Sequence, residues 1–325
     1  MKAVVVKELG DADMLQVTDL PSPVPGPGQI VVDVAAAGIN FIDVYHRTGH
    51  YPPPAPLPYV PGGEGSGTVT AVGPAVSHVR VGERVAWCQV AGGGYAEQIV
   101  LQEGDAIPIG DDLADDVAAA VLVQGLTAHY LTKSVYAVGP NDTALVHAAA
   151  GGSGYMLTQT IKLLGGRVIA AVSTPEKEAV AREAGADHVV NYGKSDVATE
   201  VRRLTDGRGV SVVYDGTGAS TFEGSIASLR RRGTMVLYGS SSGPVPPVDV
   251  QQVLKGGLFL TRPSMPDYIS TREERLPPIG EVLGWLRDGR LKVRIGGRYP
   301  LDDVRRAHRD LESRATTGKL LLVPG

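Results

Sequence analysis

The stretch from Thr143 to Gly166 constrains the fold of this chain more than any other. Ala144–Ala148 is short and apolar, as a strand buried on both faces must be. Ala149–Gly154 then follows the spacing G-x-G-x-x-G, with Ala149 in place of the first glycine. Tyr155–Leu164 carries Met156, Leu157, Thr160, Ile161 and Leu164 at helical spacing, and Gly165-Gly166 stops it. Strand, glycine turn and helix together meet the context that a dinucleotide-binding turn requires. Gly151 lets backbone amides approach a pyrophosphate, with Gly152 and Ser153 beside it. Gly154 lets helix and strand pack closely, and the helix N-terminus offers the positive end of its dipole.

The chain beyond Gly166 repeats that unit. Val168–Val172, His188–Asn191, Val210–Asp215 and Thr234–Gly239 read as further strands. Helices over 175–184, 195–205 and near 221–231 separate them. The alternation predicts a doubly wound parallel sheet, with Leu258–Thr261 as a sixth strand. Arg230-Arg231-Arg232 reads as a solvated helix end. Toward the N-terminus, residues 1 to about 120 are β-rich: Ala3–Val6, Ile30–Ala36, Gly67–Val72 and Arg84–Val90 are separated by Pro and Gly clusters, a pattern that fits a partly open barrel. Val117–Leu122 and Leu126–Tyr136 read as two helices, and Gly38–Pro61 as a loop. Ile279–Asp288 and Leu301–Glu312 read as helices and Lys319–Val323 as a closing strand, too short to stand alone. The reading is therefore an α/β protein in which residues 124–263 form the nucleotide domain, inserted into a catalytic domain made of 1–123 and 264–325.

Composition narrows the partners. With 325 residues, 43 % hydrophobic and 20 % charged, the chain has a real core, and its net charge of −4 gives no reason to expect nucleic acid. No apolar run reaches membrane-spanning length. The single cysteine, Cys88, excludes an intrachain disulfide and a cysteine-cluster zinc site, and fits the cytoplasm.

Several blocks resemble one family. They are Ala37-Gly38-Ile39-Asn40-Phe41-Ile42-Asp43-Val44-Tyr45, Pro61-Gly62-Gly63-Glu64-Gly65-Ser66-Gly67, Gln124-Gly125-Leu126-Thr127-Ala128, Ala148–Gly154, Thr261-Arg262-Pro263-Ser264 and Glu312–Lys319. In this order they resemble the quinone oxidoreductase, or zeta-crystallin-like, branch of the medium-chain dehydrogenase/reductase superfamily. The resemblance implies a GroES-like catalytic domain, a Rossmann domain and a homodimer joined through the Leu258–Thr261 edge. It implies reduction of a quinone by NADPH. The zinc alcohol dehydrogenases of the superfamily carry Cys where Asn40 stands and His where Gly63 stands, so this chain is expected to bind no stoichiometric zinc. Ser153 stands where the family commonly has Val.

The second strand supports NADPH over NADH. An NAD-specific fold usually ends that strand with an acid. Here it ends in Ser173-Thr174-Pro175-Glu176-Lys177. Thr174 suits a helix cap and Pro175 a first turn, which leaves Ser173 and Lys177 for a 2′-phosphate. Glu176 dissents, as an acid that a helix dipole also attracts. By resemblance, Tyr192 shares this pocket and Thr127 lies near the nicotinamide ribose. Tyr238, Ser240 and Ser241 belong to the loop beside the nicotinamide, and Arg262 and Arg314 pair with phosphate or close the cleft.

Asn40, Tyr45 and Tyr51 are the candidate catalytic residues. Asn40 is read as a donor to a carbonyl or ribose hydroxyl, and the tyrosines offer phenols and flat apolar faces to an aromatic acceptor. His46 and Glu64 stand in reserve for proton transfer, and Arg47 is weak evidence for a carboxylate clamp. The substrate is a quinone, with an enone or enoyl compound as the alternative. A different class, an RNA-binding or structural crystallin-like protein, lacks a basic or aromatic platform in this sequence.

Overall fold

Thr143–His147 forms a strand with four of its five residues buried, and Gly152–Leu163 forms the helix after it. Gly154 is required where they meet: a Cβ there would lie 2.3 Å from the Ala148 carbonyl oxygen. The computed structural model describes residues 1–253 and 255–325. They divide into two units, Met1–Val123 with Ile295–Gly325, and Gln124–Arg294.

In the second unit the strand lies inside a six-stranded parallel sheet. Its order is His188–Asn191, Arg167–Val172, Thr143–His147, Val210–Asp215, Leu229–Leu237, Phe259–Thr261. That is the doubly wound order expected. Leu145, Ile169, Val201, Val213 and Met235 pack its core. Because all strands run the same way, the turns after them leave from one edge. That edge gathers residues 148–151, 173–174, 192–194, 216–221 and 238–243.

Three local expectations are corrected. Arg230, Arg231 and Arg232 are exposed, but they lie in the strand Leu229–Leu237 rather than at a helix end, because the preceding helix stops at Ser228. The two helices expected over 117–136 are one, Asp115–Tyr130, continued by a wider turn to Val135. Gly125 costs a helix only about 1 kcal/mol, and burial of Ala118–Leu122 and Leu126 outweighs it. The helix expected from Ile279 begins at Arg272, where Thr271 and Glu274 form a capping box. It packs within the second unit: Glu281 accepts from His129 and Lys133, and Tyr268 stacks on Tyr130 at 4.9 Å. The second unit accordingly runs to Arg294 rather than 263.

The first unit is built around the long strand Gln29–Ile39. It pairs antiparallel with Gly65–Val72, Gln98–Gln102 and the returning strand Lys319–Val323. Arg84–Trp87, Ile107–Pro108 and Ile295–Pro300 complete a seven-stranded mixed sheet, and Lys2–Val6 with Leu15–Asp19 forms a separate ladder. Val6, Ile30, Val32, Trp87, Leu320 and Leu322 lie in one core. Return of Lys319–Val323 sets Leu320 opposite Ile39 and Leu321 opposite Gly38, which brings Lys319 to the end of the long strand.

Candidate active site

The segment after the long strand is a helix, not the loop expected. Asn40 is extended, its amide donates to Asp43 Oδ2 at 2.8 Å, and Phe41–Thr48 winds from there. Gly49, at φ 76°, ends it. The pair Asn40 and Asp43, three apart, is the sequence signal for this cap.

The Asn40 side chain is fixed by three buried partners. Its Nδ2 donates to Glu64 Oε2 at 3.1 Å and to the Gly38 carbonyl at 3.3 Å, while its Oδ1 accepts from Lys319 Nζ at 2.7 Å. An ammonium only donates and a carboxylate only accepts, so the amide has one consistent orientation. Lys319 Nζ also lies 2.6 Å from Glu64 Oε2, in an ion pair whose side chains are 3 % and 0 % exposed. The other Glu64 oxygen accepts from the Val123 amide at 2.7 Å. Gly38 makes room for the pair: a Cβ there would sit 2.5 Å from Glu64 Oε2 and 2.8 Å from Lys319 Cε. Both amide hydrogens of Asn40 are committed inside the protein, and its Oδ1 accepts from Lys319.

A pocket opens beside this amide, lined by Asn40, Asp43, His46, Tyr59, Gly63 and Val123 among others. Asp43 Oδ2 accepts from Tyr95 Oη at 2.9 Å as well as from the Asn40 amide. Burial pushes the Asp43 carboxyl up to about 6 against those hydrogen bonds, and pushes the Tyr95 phenol well above its ordinary range. His46 Nδ1 lies 2.6 Å from the Pro52 carbonyl and therefore carries the hydrogen. Burial lowers the pKa of His46, which leaves Nε2 an acceptor at neutral pH. Neither reserve group is a ready proton donor: His46 is neutral, and Glu64 is enclosed. Arg47 is no carboxylate clamp either. It is fully buried, with Glu312 at 2.8 Å and His308 Nδ1 at 3.0 Å.

Tyr45 and Tyr51 meet edge to face at 5.0 Å, with His50 stacked on Tyr51 at 4.8 Å. They form an aromatic cluster of their own and are not among the side chains lining the Asn40 pocket.

In the second unit the candidate residues collect at the edge from which the turns leave. Gly151 caps the helix, and Gly152, Ser153 and Gly154 form its first turn, whose amides have no carbonyl behind them. Lys177 Nζ donates to Ser173 Oγ at 3.2 Å, which sets an ammonium at the end of the second strand. Thr174 caps the helix Pro175–Glu183 through the Lys177 amide. Glu176 turns to the helix start: hydrogen bonds from its own amide and the Thr174 hydroxyl hold its carboxylate below the usual range. Tyr192 is half exposed just past Asn191, and its amide donates to the Val172 carbonyl. The turn with Tyr238, Ser240 and Ser241 is sewn to the neighbouring one by Ser241 N to Gly216 O at 3.1 Å and Ser242 N to Thr217 O at 2.8 Å. Thr127 is buried in the helix Asp115–Tyr130, and Arg262 is exposed after the last strand. Arg314 belongs to the first unit.

Four further residues escaped the sequence reading: Lys319, Tyr95, Tyr59 and Asp215. Asp215 takes four hydrogen bonds, from the amides of Thr217 and Gly218 and the hydroxyls of Thr221 and Ser225. A lysine opening the apolar run Lys-Leu-Leu-Leu-Val was the available signal for Lys319, and an acid before Gly-Thr-Gly for Asp215. Nothing local distinguishes Tyr59 or Tyr95.

Residues 26–111 match the alcohol dehydrogenase GroES-like domain, and residues 152–275 match the zinc-binding dehydrogenase family. The chain is 42 % identical over 318 residues to the quinone oxidoreductase of Salmonella typhimurium, covering 97 % of each. The chain belongs to the quinone oxidoreductase branch of the medium-chain dehydrogenase/reductase superfamily. Within the branch, the Escherichia coli quinone oxidoreductase solved with NADPH superposes at a TM-score of 0.96 and 39 % identity over the whole of both chains. A mycobacterial protein solved with NADPH does so at 0.94 and 46 %, again over both chains in full. A 2-haloacrylate reductase from Burkholderia is 37 % identical over 99 % of this chain and 98 % of its own.

The zinc of the superfamily does not fit this quinone oxidoreductase site. Catalytic zinc takes about three Cys, His or carboxylate ligands. Here an amide stands at Asn40, Gly63 has no side chain, and the Glu64 carboxylate is already paired with the Lys319 ammonium. Among the described residues no cluster of three or more His, Cys, Asp or Glu is placed to hold a metal ion.

Proposed function

We propose that the protein is an NADPH-dependent quinone oxidoreductase. One observation carries the cofactor reading: an ammonium rather than a carboxylate closes the second strand of the sheet, in a chain 40–42 % identical to quinone oxidoreductases. NADPH, when bound, supplies a hydride, two electrons with one proton, to the acceptor. Ser173, Lys177 and Tyr192 hold the 2′-phosphate. The amides of Gly152, Ser153 and Gly154 hold the pyrophosphate, and Thr127, Tyr238, Ser240, Ser241 and Arg262 flank the nicotinamide half; Arg314 is a further arginine for phosphate by family resemblance. Asn40, Tyr45 and Tyr51 serve the acceptor side. Asn40, held by Lys319 and Glu64, is the amide of that set, placed for the acceptor carbonyl or the ribose hydroxyl. The tyrosines present phenols and aromatic faces to a planar, uncharged acceptor. No strong acid is needed, because a reduced quinone leaves as a stable anion that water protonates.

Reduction of an enone is the second reading, favoured by the 2-haloacrylate reductase relative. Following NADPH absorbance with 1,2-naphthoquinone, 9,10-phenanthrenequinone, a small enone and crotonyl-CoA in parallel separates the two. Quinones are expected to have the highest kcat/KM. An enone at least about a hundredfold above every quinone would reverse the order.

No helix among the described residues is long and apolar enough to cross a membrane, and the single cysteine fits a cytoplasmic setting. The strand Phe259–Thr261 ends the sheet with Phe259 62 % exposed, an edge that no other strand covers among the described residues and that copies of the chain can cover by pairing. Light scattering at micromolar concentration is expected to give twice the chain mass. A strict monomer would remove the homodimer from this reading.

A further inference from the structure

Tyr59 is buried to 6 % exposure, with its ring in the core of the first unit. Its backbone is pinned by two hydrogen bonds to Val6, at 2.9 and 3.1 Å. It also lines the Asn40 pocket, yet among the described residues its hydroxyl has no hydrogen-bond partner. Buried polar atoms of this kind are rare and call for a reason. The nearest candidates for internal quenching are engaged elsewhere: Asp43 Oδ2 serves Tyr95 and the Asn40 amide, and Arg47 serves Glu312, His308 and the Gly10 carbonyl.

We infer that Tyr59 Oη is the hydrogen-bond donor for the carbonyl oxygen of the acceptor. This rests on the quinone reductase reading and adds to it a residue that sets acceptor orientation. Burial pushes the phenol up to about 12, so it stays protonated and donating throughout the working pH range. As the quinone takes up hydride, that is two electrons and one proton, its carbonyl oxygen gains negative charge and the bond to Tyr59 strengthens. The phenol keeps its proton, and the hydroquinone monoanion takes its second proton from water. Tyr59 belongs to the wall of the Asn40 pocket, and its hydroxyl is buried.

Tyr59→Phe tests this, because it removes only the hydroxyl. With 1,2-naphthoquinone, kcat/KM is expected to fall about three- to tenfold. The melting temperature is expected to hold or rise, since no internal bond is lost, and NADPH affinity to stay within twofold. A kcat/KM within twofold of wild type overturns the assignment. So does a melting temperature several degrees lower, which would mean that the hydroxyl has a partner inside the protein. Fluorescence quenching by 9,10-phenanthrenequinone without NADPH reads the same contact independently of turnover. If wild type reduces none of the acceptors, the reductase reading falls, while weaker quinone binding by Tyr59→Phe still supports the contact and equal binding removes it.

Discussion

Lys319→Met is expected to lower folding stability by about 3–5 kcal/mol, the cost of leaving a buried charge without its partner. The substitution keeps the length of the side chain and removes the cation from between Glu64 Oε2 and Asn40 Oδ1. Glu64 is fully buried and would keep only the Val123 and Asn40 donors. The double variant Glu64→Gln/Lys319→Met should regain most of the loss, because a buried ion pair replaced as a unit is often near neutral. Urea midpoints for wild type, both single variants and the double variant give the coupling directly. Activity should follow a different course. The double variant still lacks the donor that orients Asn40 Oδ1, so its kcat stays low even where its stability returns. A loss under about 1 kcal/mol for Lys319→Met would mean that the pair behaves as a solvent-screened surface bridge.

Lys177→Glu is expected to weaken NADPH binding about a hundredfold and NADH binding less than about threefold. A charged hydrogen bond is worth about 1.5–3 kcal/mol, and tenfold in affinity is about 1.4 kcal/mol. Reversing the charge adds repulsion from the 2′-phosphate, which NADH lacks. Lys177→Ala, which removes the attraction alone, should fall between wild type and Lys177→Glu. The lysine is half-buried at the start of a capped helix and bonded to Ser173. Its position therefore owes little to the cofactor, and both variants should fold. Titration of each nucleotide, with intrinsic fluorescence as the signal, reads the difference. Equal losses for both nucleotides would move the phosphate site away from Ser173.

The nucleotide unit was legible because its rules are local. A strand buried on both faces reads as an apolar run, a close strand–helix approach demands Gly154, and a missing acid at Ser173 is visible in the sequence itself. The sheet order then comes from the alternation of elements. The acceptor side was legible only in part. Asn40 stood out, but its partners Glu64 and Lys319 are 24 and 279 residues away in sequence, and only the pairing of Lys319–Val323 with Gln29–Ile39 unites them. The orphaned hydroxyl of Tyr59 is invisible in sequence for the same reason, since lacking a partner is a property of the folded neighbourhood. Arg230–Arg232 misled because charge density says that a segment is solvated, not whether it is helix or strand. Pro277-Pro278 likewise hid a helix start that lies in Thr271 and Glu274.

The pairing of Lys319 with Glu64 also has a timetable. Lys319 lies about 200 residues downstream of Val123, whose amide holds the other oxygen of Glu64. At roughly 5–20 residues per second, a ribosome needs about 10–40 s to pass from one to the other. In that interval Gln124–Arg294 emerges whole, as one contiguous stretch able to close its own sheet. The earlier segment meanwhile carries an acid without its counter-ion, and its strand Gln29–Ile39 has an open edge at Ala37–Ile39. The interrupted unit therefore matures after the one inserted within it, and a nascent chain stalled before Lys319 exposes an edge that chaperones and proteases can reach.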